Sequence, residues 1–148
     1  MYAEIPLESV RNPEIIFEDP DIVVVGKPAG MIVHSAPGHA DNSLADHLAK
    51  TRPGMYGCGS RERPGVVHRL DIGTSGGMVF AKTPRAYRAL REAFESHGRI
   101  RKTYLAVLHG APKTKTGRIE NTIGRKPWDS KRMAVDVPDG KRAVSEWT

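Results

Sequence analysis

The sequence predicts an α+β fold: a mixed, mainly antiparallel β-sheet with a few helices and long loops. Three observations predict it. Short β-branched runs such as Ile22-Val23-Val24-Val25 recur between turn signals, which is the pattern of buried strands. Only two stretches carry helical periodicity, residues 44–50 and the segment after Thr83. Between them lie Gly- and Pro-rich stretches too irregular for either element. At 148 residues the chain has the size of one domain, and such a domain buries roughly two-thirds of its unfolded surface. Aromatic residues make up only 6%, so the core is expected to be aliphatic.

Taken in order, Ile15-Ile16-Phe17 reads as an edge strand and Asp19-Pro20-Asp21 as a turn. Ile22 to Val25 is a buried strand, broken by Gly26-Lys27-Pro28-Ala29-Gly30. Met31 to His34 reads as a second strand, forming a hairpin with the first. Ser43 is a candidate N-cap for a helix over Leu44 to Lys50. Thr51 to Pro64, with its glycines, prolines and arginines, reads as a mobile basic loop. Met78 to Ala81 is a strand. Thr83 and Pro84 open a helix whose Ala86, Tyr87, Leu90, Ala93 and Phe94 share one face, with Gly98 as its closing residue. Arg99 to Gly110 alternates like a strand. Arg118 to Gly124, Met133 to Val137 and Ala143 to Thr148 complete the strands, with a turn at Asp139-Gly140.

Charge and cysteine content limit the function. The net charge is +6, unevenly placed. Residues 1–60 carry 4 Lys/Arg against 8 Asp/Glu, whereas residues 61–102 carry 10 against 4 and residues 103–148 carry 9 against 5. A polyanionic partner follows as an expectation. Cys58 is the only cysteine, which excludes an internal disulfide and a multi-cysteine zinc site and suits a reducing cytoplasm. His34, His39 and His47 lack the tight spacing of metal ligands. The N-terminal residues have no basic start followed by an apolar run, and no stretch approaches the ~18 apolar residues of a membrane span.

The chain is organised around Pro64 to Lys82. His68, Arg69 and Asp71 alternate there with Val66, Val67 and Leu70, which places charge at the edge of a core. Gly73-Thr74-Ser75-Gly76 supplies backbone freedom and hydroxyls for close approach of a ligand. On these residues alone, a Gly-rich turn whose Asp caps a neighbouring amide is also open.

The pattern H-R-L-D-x-x-T-S-G-x-x-x-x-A-K, residues 68–82, resembles the central motif of RNA pseudouridine synthases. His68 resembles the branch that modifies large-subunit ribosomal RNA and some transfer RNA. Lys27-Pro28 is similar to that family's first motif, whose turn buttresses the catalytic loop. Lys102, Tyr104, Ala106 and Gly110 are similar to its third.

The resemblance implies an isomerase that converts uridine to pseudouridine within RNA. Asp71 would be the nucleophile, and Arg69 would enter the RNA stack where the target nucleotide is flipped out. Tyr104 would pack on the extruded base, and Thr74 and Ser75 would shape the loop carrying Asp71. His68, Lys102 and the other basic residues of 61–102 would face the RNA. No metal or organic cofactor is implied, because nothing is oxidised or added. The partner would be RNA, ribosomal favoured and transfer possible, with no membrane; the protein would be cytoplasmic, and a monomer is the expectation. Residues 1–148 would be the N-terminal and central part of a single catalytic domain of the pseudouridine synthase fold. The chain is expected to be truncated, because the family's later T-G-R-x-H-Q-I-R-like motif has no counterpart. Two other readings stay open: an RNA-binding module without catalysis, and a hydrolase working through Asp71, which has no acidic companion close in sequence.

Overall fold

A computed structural model describes residues 13–35, 43–96 and 99–148. The chain divides into two compact units, residues 1–102 and 103–148. Among the described residues all strand pairing is antiparallel, in two sheets, where the sequence predicts a mixed, mainly antiparallel sheet.

In the first unit, strands β1 (Glu14–Glu18), β2 (Ile22–Lys27) and β3 (Gly76–Ala81) form a sheet in that order. Alternation along β2 sends Val23, Val25 and Lys27 to one face, all fully buried. Met78 and Phe80 of β3 stand opposite Val25 and Val23. Helix α1 (Leu44–Thr51) closes this face with Leu44, Ala45, Leu48 and Ala49, joined by Met55, Met31 and Val33. Each of the larger apolar side chains contributes about 1.5–3 kcal/mol on burial. The opposite face carries Ile22, Val79 and Ala81. Helix α2 (Pro84–Glu95) covers it with Ala86, Tyr87, Leu90 and Phe94. The sheet thus lies between two helices, each on the apolar face that its sequence spacing predicts.

Both helix starts are as predicted. Ser43 caps α1 in a reciprocal box with Asp46, whose amide donates to Ser43 Oγ at 3.2 Å. Thr83 Oγ1 accepts from the Ala86 amide at 3.3 Å, with Pro84 in the first turn. The predicted closing residue of α2, Gly98, lies outside the described residues.

Three expectations are corrected. Met31 to His34 is not a strand, and β2 pairs instead with β1 and β3. The reason is that Ile32 and Val33 spend their carbonyls on the Leu44 and Ala45 amides, both at 2.9 Å. They cap the open N-terminus of α1 rather than a ladder. The stretch 51–64 is not a loose loop. It holds a 3-10 helix, Pro53–Gly57, and is anchored by the fully buried Met55, Cys58 and Pro64. It ends at Gly65, whose φ is +70° and whose missing side chain would meet the Ala81 carbonyl at 2.5 Å. Finally, Arg99 to Gly110 forms no strand. Leu105 and Val107 are fully exposed, and among the described residues this stretch finds no ladder partner to satisfy its main chain.

The second unit is a sheet of β4 (Gly117–Lys126), β5 (Asp129–Val135) and β6 (Lys141–Trp147), with β4 central. Glu120 on β4 binds Arg118 at 2.7 Å and Arg142 at 2.6 Å. The Trp147 ring covers Gly117, its cross-strand partner. No helix among the described residues is long and apolar enough to cross a membrane.

One ionic knot ties the first unit together. Glu18 receives both arms of Arg52, at 2.9 and 2.7 Å, and Lys82 Nζ at 2.6 Å. Hydrogen bonds from Arg52 and then Lys82 hold its carboxyl down at about 2. Its folded value lies below its ordinary 4.5, so the stability it contributes is complete above about pH 4.5 and is lost as pH falls toward 2. Glu18→Gln is expected to cost roughly 1 kcal/mol at neutral pH. It should also flatten the acid limb of a urea-unfolding series run from pH 5 down to about pH 2.

Candidate active site

The segment from Gly65 to Ser75 runs along the free edge of β3 and then turns back beneath it. Alternate amides of β3 face away from β2, and the segment satisfies two of them. The Ala81 amide donates to the Gly65 carbonyl at 2.9 Å. The Val79 amide donates to His68 Nε2 at 3.1 Å. A side-chain nitrogen thus takes the place of a ladder carbonyl and closes the edge. Because Nε2 accepts, the ring is neutral with its proton on Nδ1. Burial, and then the charge of Lys102, push the His68 pKa below its ordinary value. The ring also stacks on Phe94 of α2, with centroids 4.4 Å apart and planes 17° from parallel.

Beyond His68, the chain alternates between solvent and core. Arg69 is exposed, Leu70 packs on the main core, and Asp71 is exposed. Asp71 to Thr74 is a β-turn, closed by the Thr74 amide on the Asp71 carbonyl at 3.0 Å. The turn is held from below through its main chain. Ile72 shows its side chain to solvent, and its carbonyl accepts from Gly30 N at 2.7 Å and from Lys27 Nζ at 3.2 Å.

Lys27 is the third inward position of β2 and only 1% exposed. Its ammonium also donates to the carbonyls of Met31 at 2.8 Å and Pro28 at 3.0 Å. All three of its protons therefore find oxygen. Burial lowers its pKa from the ordinary lysine value, and the charge of Asp71 opposes that shift. The Lys27-Pro28 turn braces the turn that carries Asp71 through this contact and the Gly30 amide.

The structure brings His68, Arg69, Asp71, Thr74 and Ser75 together on one segment, with the Lys102 charge felt at His68. Tyr104 belongs to the second unit, where its side chain is 60% exposed. Sequence reasoning missed the Gly30 amide, which no side-chain pattern can reveal, and the Phe94 stack. Among the described residues no His, Cys, Asp and Glu cluster is arranged to hold a metal ion.

Beside Arg69 lies a hollow of about 340 Å³, whose wall includes Ser60, Arg63, His68, Tyr87 and Arg91. No carboxylate lines it among the described residues.

A family model described as RNA pseudouridylate synthase matches residues 21–148. The chain belongs to this family. An uncharacterized RNA pseudouridine synthase of Synechocystis is 37% identical over 97% of this chain and 45% of its own length. The ribosomal large subunit pseudouridine synthase D of Zymomonas mobilis is 42% identical over 90% of this chain and 42% of its own. The chain therefore spans about half the length of the curated pseudouridine synthases it matches. Among solved structures, human RNA pseudouridylate synthase domain containing 1 superposes with a TM-score of 0.68 at 25% identity, covering 93% of this chain and 52% of that one. The synthase fold accounts for the α+β architecture predicted from the sequence.

Two expected outcomes follow from this geometry. His68→Phe keeps an aromatic ring against Phe94 but leaves the Val79 amide without an acceptor, a loss of about 1–3 kcal/mol. The wild-type stability due to His68 is complete above about pH 6.5 and declines below it, since the folded chain resists protonation more than the unfolded chain does. Urea unfolding on both sides of that pH should show the decline in the wild type and a smaller one in the variant. Lys27→Met removes a buried charge and its desolvation penalty but leaves the Met31 and Pro28 carbonyls without this donor, so global stability should fall by about 1–3 kcal/mol. The turn, however, should loosen, with hydrogen exchange at Thr74 rising about tenfold or more.

Proposed function

We propose that this chain acts as an RNA pseudouridine synthase with Asp71 as its nucleophile. The observation that carries the proposal is the placement of Asp71. It is the exposed carboxylate of the family's central pattern, on a turn fixed by Gly30 and Lys27 through the main chain of the next residue. The site residues are accessible while the frame beneath them is rigid, which is the requirement for a positioned nucleophile.

The reaction breaks the bond between uracil nitrogen and ribose, turns the base, and joins it again through carbon. The carbon gives up its proton and the freed nitrogen takes one, so the product is an isomer and no electrons leave. Asp71 supplies the electron pair that starts the exchange. A carboxylate attacks only as the anion, and the neighbouring Lys27 ammonium interacts favourably with that charge. Reaching the base requires flipping the nucleotide out of its stack, at a cost of a few kcal/mol. Exposed Arg69 is suited to fill the gap, because a planar guanidinium stacks as well as it pairs. Tyr104 offers an exposed ring for the extruded base, and Lys102 a cation for a phosphate. Thr74 and Ser75 continue the turn that carries Asp71.

The substrate we favour is large-subunit ribosomal RNA, in keeping with the name of the Zymomonas relative; transfer RNA is the second candidate. The reaction would then take place in the cytoplasm, by a monomer whose two units are parts of one catalytic domain.

The deciding experiment uses RNA from a host that lacks the modification. The chain should form pseudouridine, and Asp71→Asn should form none while keeping its RNA affinity. Equal product from both would remove Asp71 from the mechanism. RNA binding with no product from either would leave an RNA-binding module in place of an enzyme.

A further inference from the structure

We propose that the hollow beside Arg69 is a phosphodiester site, which grips the RNA strand next to the nucleotide presented to Asp71. The inference rests on the RNA reading above and adds a location to it. Three arginines from separate places in the chain line the hollow: Arg63 from the 58–63 loop, Arg69 from the central motif, and Arg91 from α2. Among the described residues neither Arg63 nor Arg69 takes part in an ion pair. Arg91 pairs with Glu95, one turn along α2, and that pair is open to water on both sides, so it competes weakly with a phosphate. The Glu62 carboxyl is held below its ordinary range by its own amide and the Ser60 hydroxyl, and then by the charges of Arg61 and Arg63; it does not line the hollow. Three lining arginines with no lining carboxylate among the described residues make a site for an anion, and their planar forks match phosphate oxygens.

The frame is built rather than loose. Gly59 adopts φ +91°, and a side chain there would meet the Tyr87 hydroxyl at 3.0 Å and the Arg63 carbonyl at 3.1 Å. The loop can therefore seat directly against α2 only with glycine at this position. The Arg63 amide closes a turn on the Ser60 carbonyl at 3.0 Å, and Cys58 beneath it is fully buried. Tyr87 and Arg91, one turn apart on α2, both line the hollow. A main chain fixed this way loses little freedom on binding, which favours affinity. Arg69 stands at the junction, since it lines the hollow and lies two residues before Asp71. A strand gripped here would be delivered to the exposed carboxylate.

The test is equilibrium binding of a single-stranded, uridine-containing RNA oligonucleotide to the whole chain across a salt series. Arg63→Ala and Arg91→Ala should each reduce the magnitude of the slope of log K against log salt by about 0.7, the value for one lost single-strand phosphate contact. Arg63→Lys should keep the slope. Arg88→Ala removes an exposed charge from the same helix outside the hollow and should change it less. Unaltered melting curves would show that each variant is folded. Equal effects from all three alanine variants would reduce the hollow to general electrostatics and overturn the proposal. So would unchanged slopes, or no binding by the wild-type chain. Pseudouridine formation measured in parallel separates the two readings: product with unchanged slopes overturns the hollow alone, while flattened slopes without product overturn the synthase and keep the RNA site.

Discussion

The site depends on one buried ammonium. Lys27 sits where the alternation of β2 would place another valine, and it gives its three protons to main-chain oxygens of Pro28, Met31 and Ile72. A lysine in that position carries a desolvation cost that an apolar residue would avoid. What the chain gains is a link between two segments 45 residues apart. The Gly26–Gly30 turn and the Asp71 turn are drawn to the same point, and a positive charge is left under an exposed carboxylate. Hydrogen bonds between uncharged groups could have made the link, but they would not have supplied the charge.

The same economy appears along the central segment, which is scaffold and site at once. Its first half seals the edge of β3 with the Gly65 carbonyl and the His68 ring. Its second half presents Arg69 and Asp71. Its far end, Lys82, is tied to Glu18 and the Asp19 carbonyl. A residue that looks functional by its chemistry can therefore be part of the frame. His68 shows this most clearly, because its polar atom is spent inside the protein on a backbone amide and its flat face on Phe94.

Much of this was legible in the sequence. The β2 and β3 runs, the Ser43 and Thr83 caps and the apolar stripe of α2 follow from periodicity and capping chemistry, and the central pattern pointed to the family. The misreadings have a common physical cause. Met31 to Val33 has the composition of a strand, but its carbonyls answer to a helix 12 residues away in sequence. Residues 51–64 have the composition of a linker, but Met55, Cys58 and Pro64 bury themselves as fully as any core residue. Arg99 to Gly110 has the alternation of a strand but, among the described residues, no partner to pair with. In each case local composition was read correctly, and the outcome was set by a distant hydrogen-bond partner or its absence. The Lys27 contact lay beyond composition for the same reason: its oxygens are main-chain atoms, which leave no trace in side-chain identity.

That last feature bears on how such a site can drift. Residues 72 and 73 are the two open letters between the aspartate and the threonine of the pattern. Ile72 touches the buried cation only through its carbonyl, while its side chain faces water. The protein therefore recognises a peptide group there and not a residue type. Substitutions at 72 that keep the turn change the outer face of the loop without disturbing the charge beneath Asp71. The outer face of the loop can therefore diversify while the hydrogen-bonded frame under it stays constant.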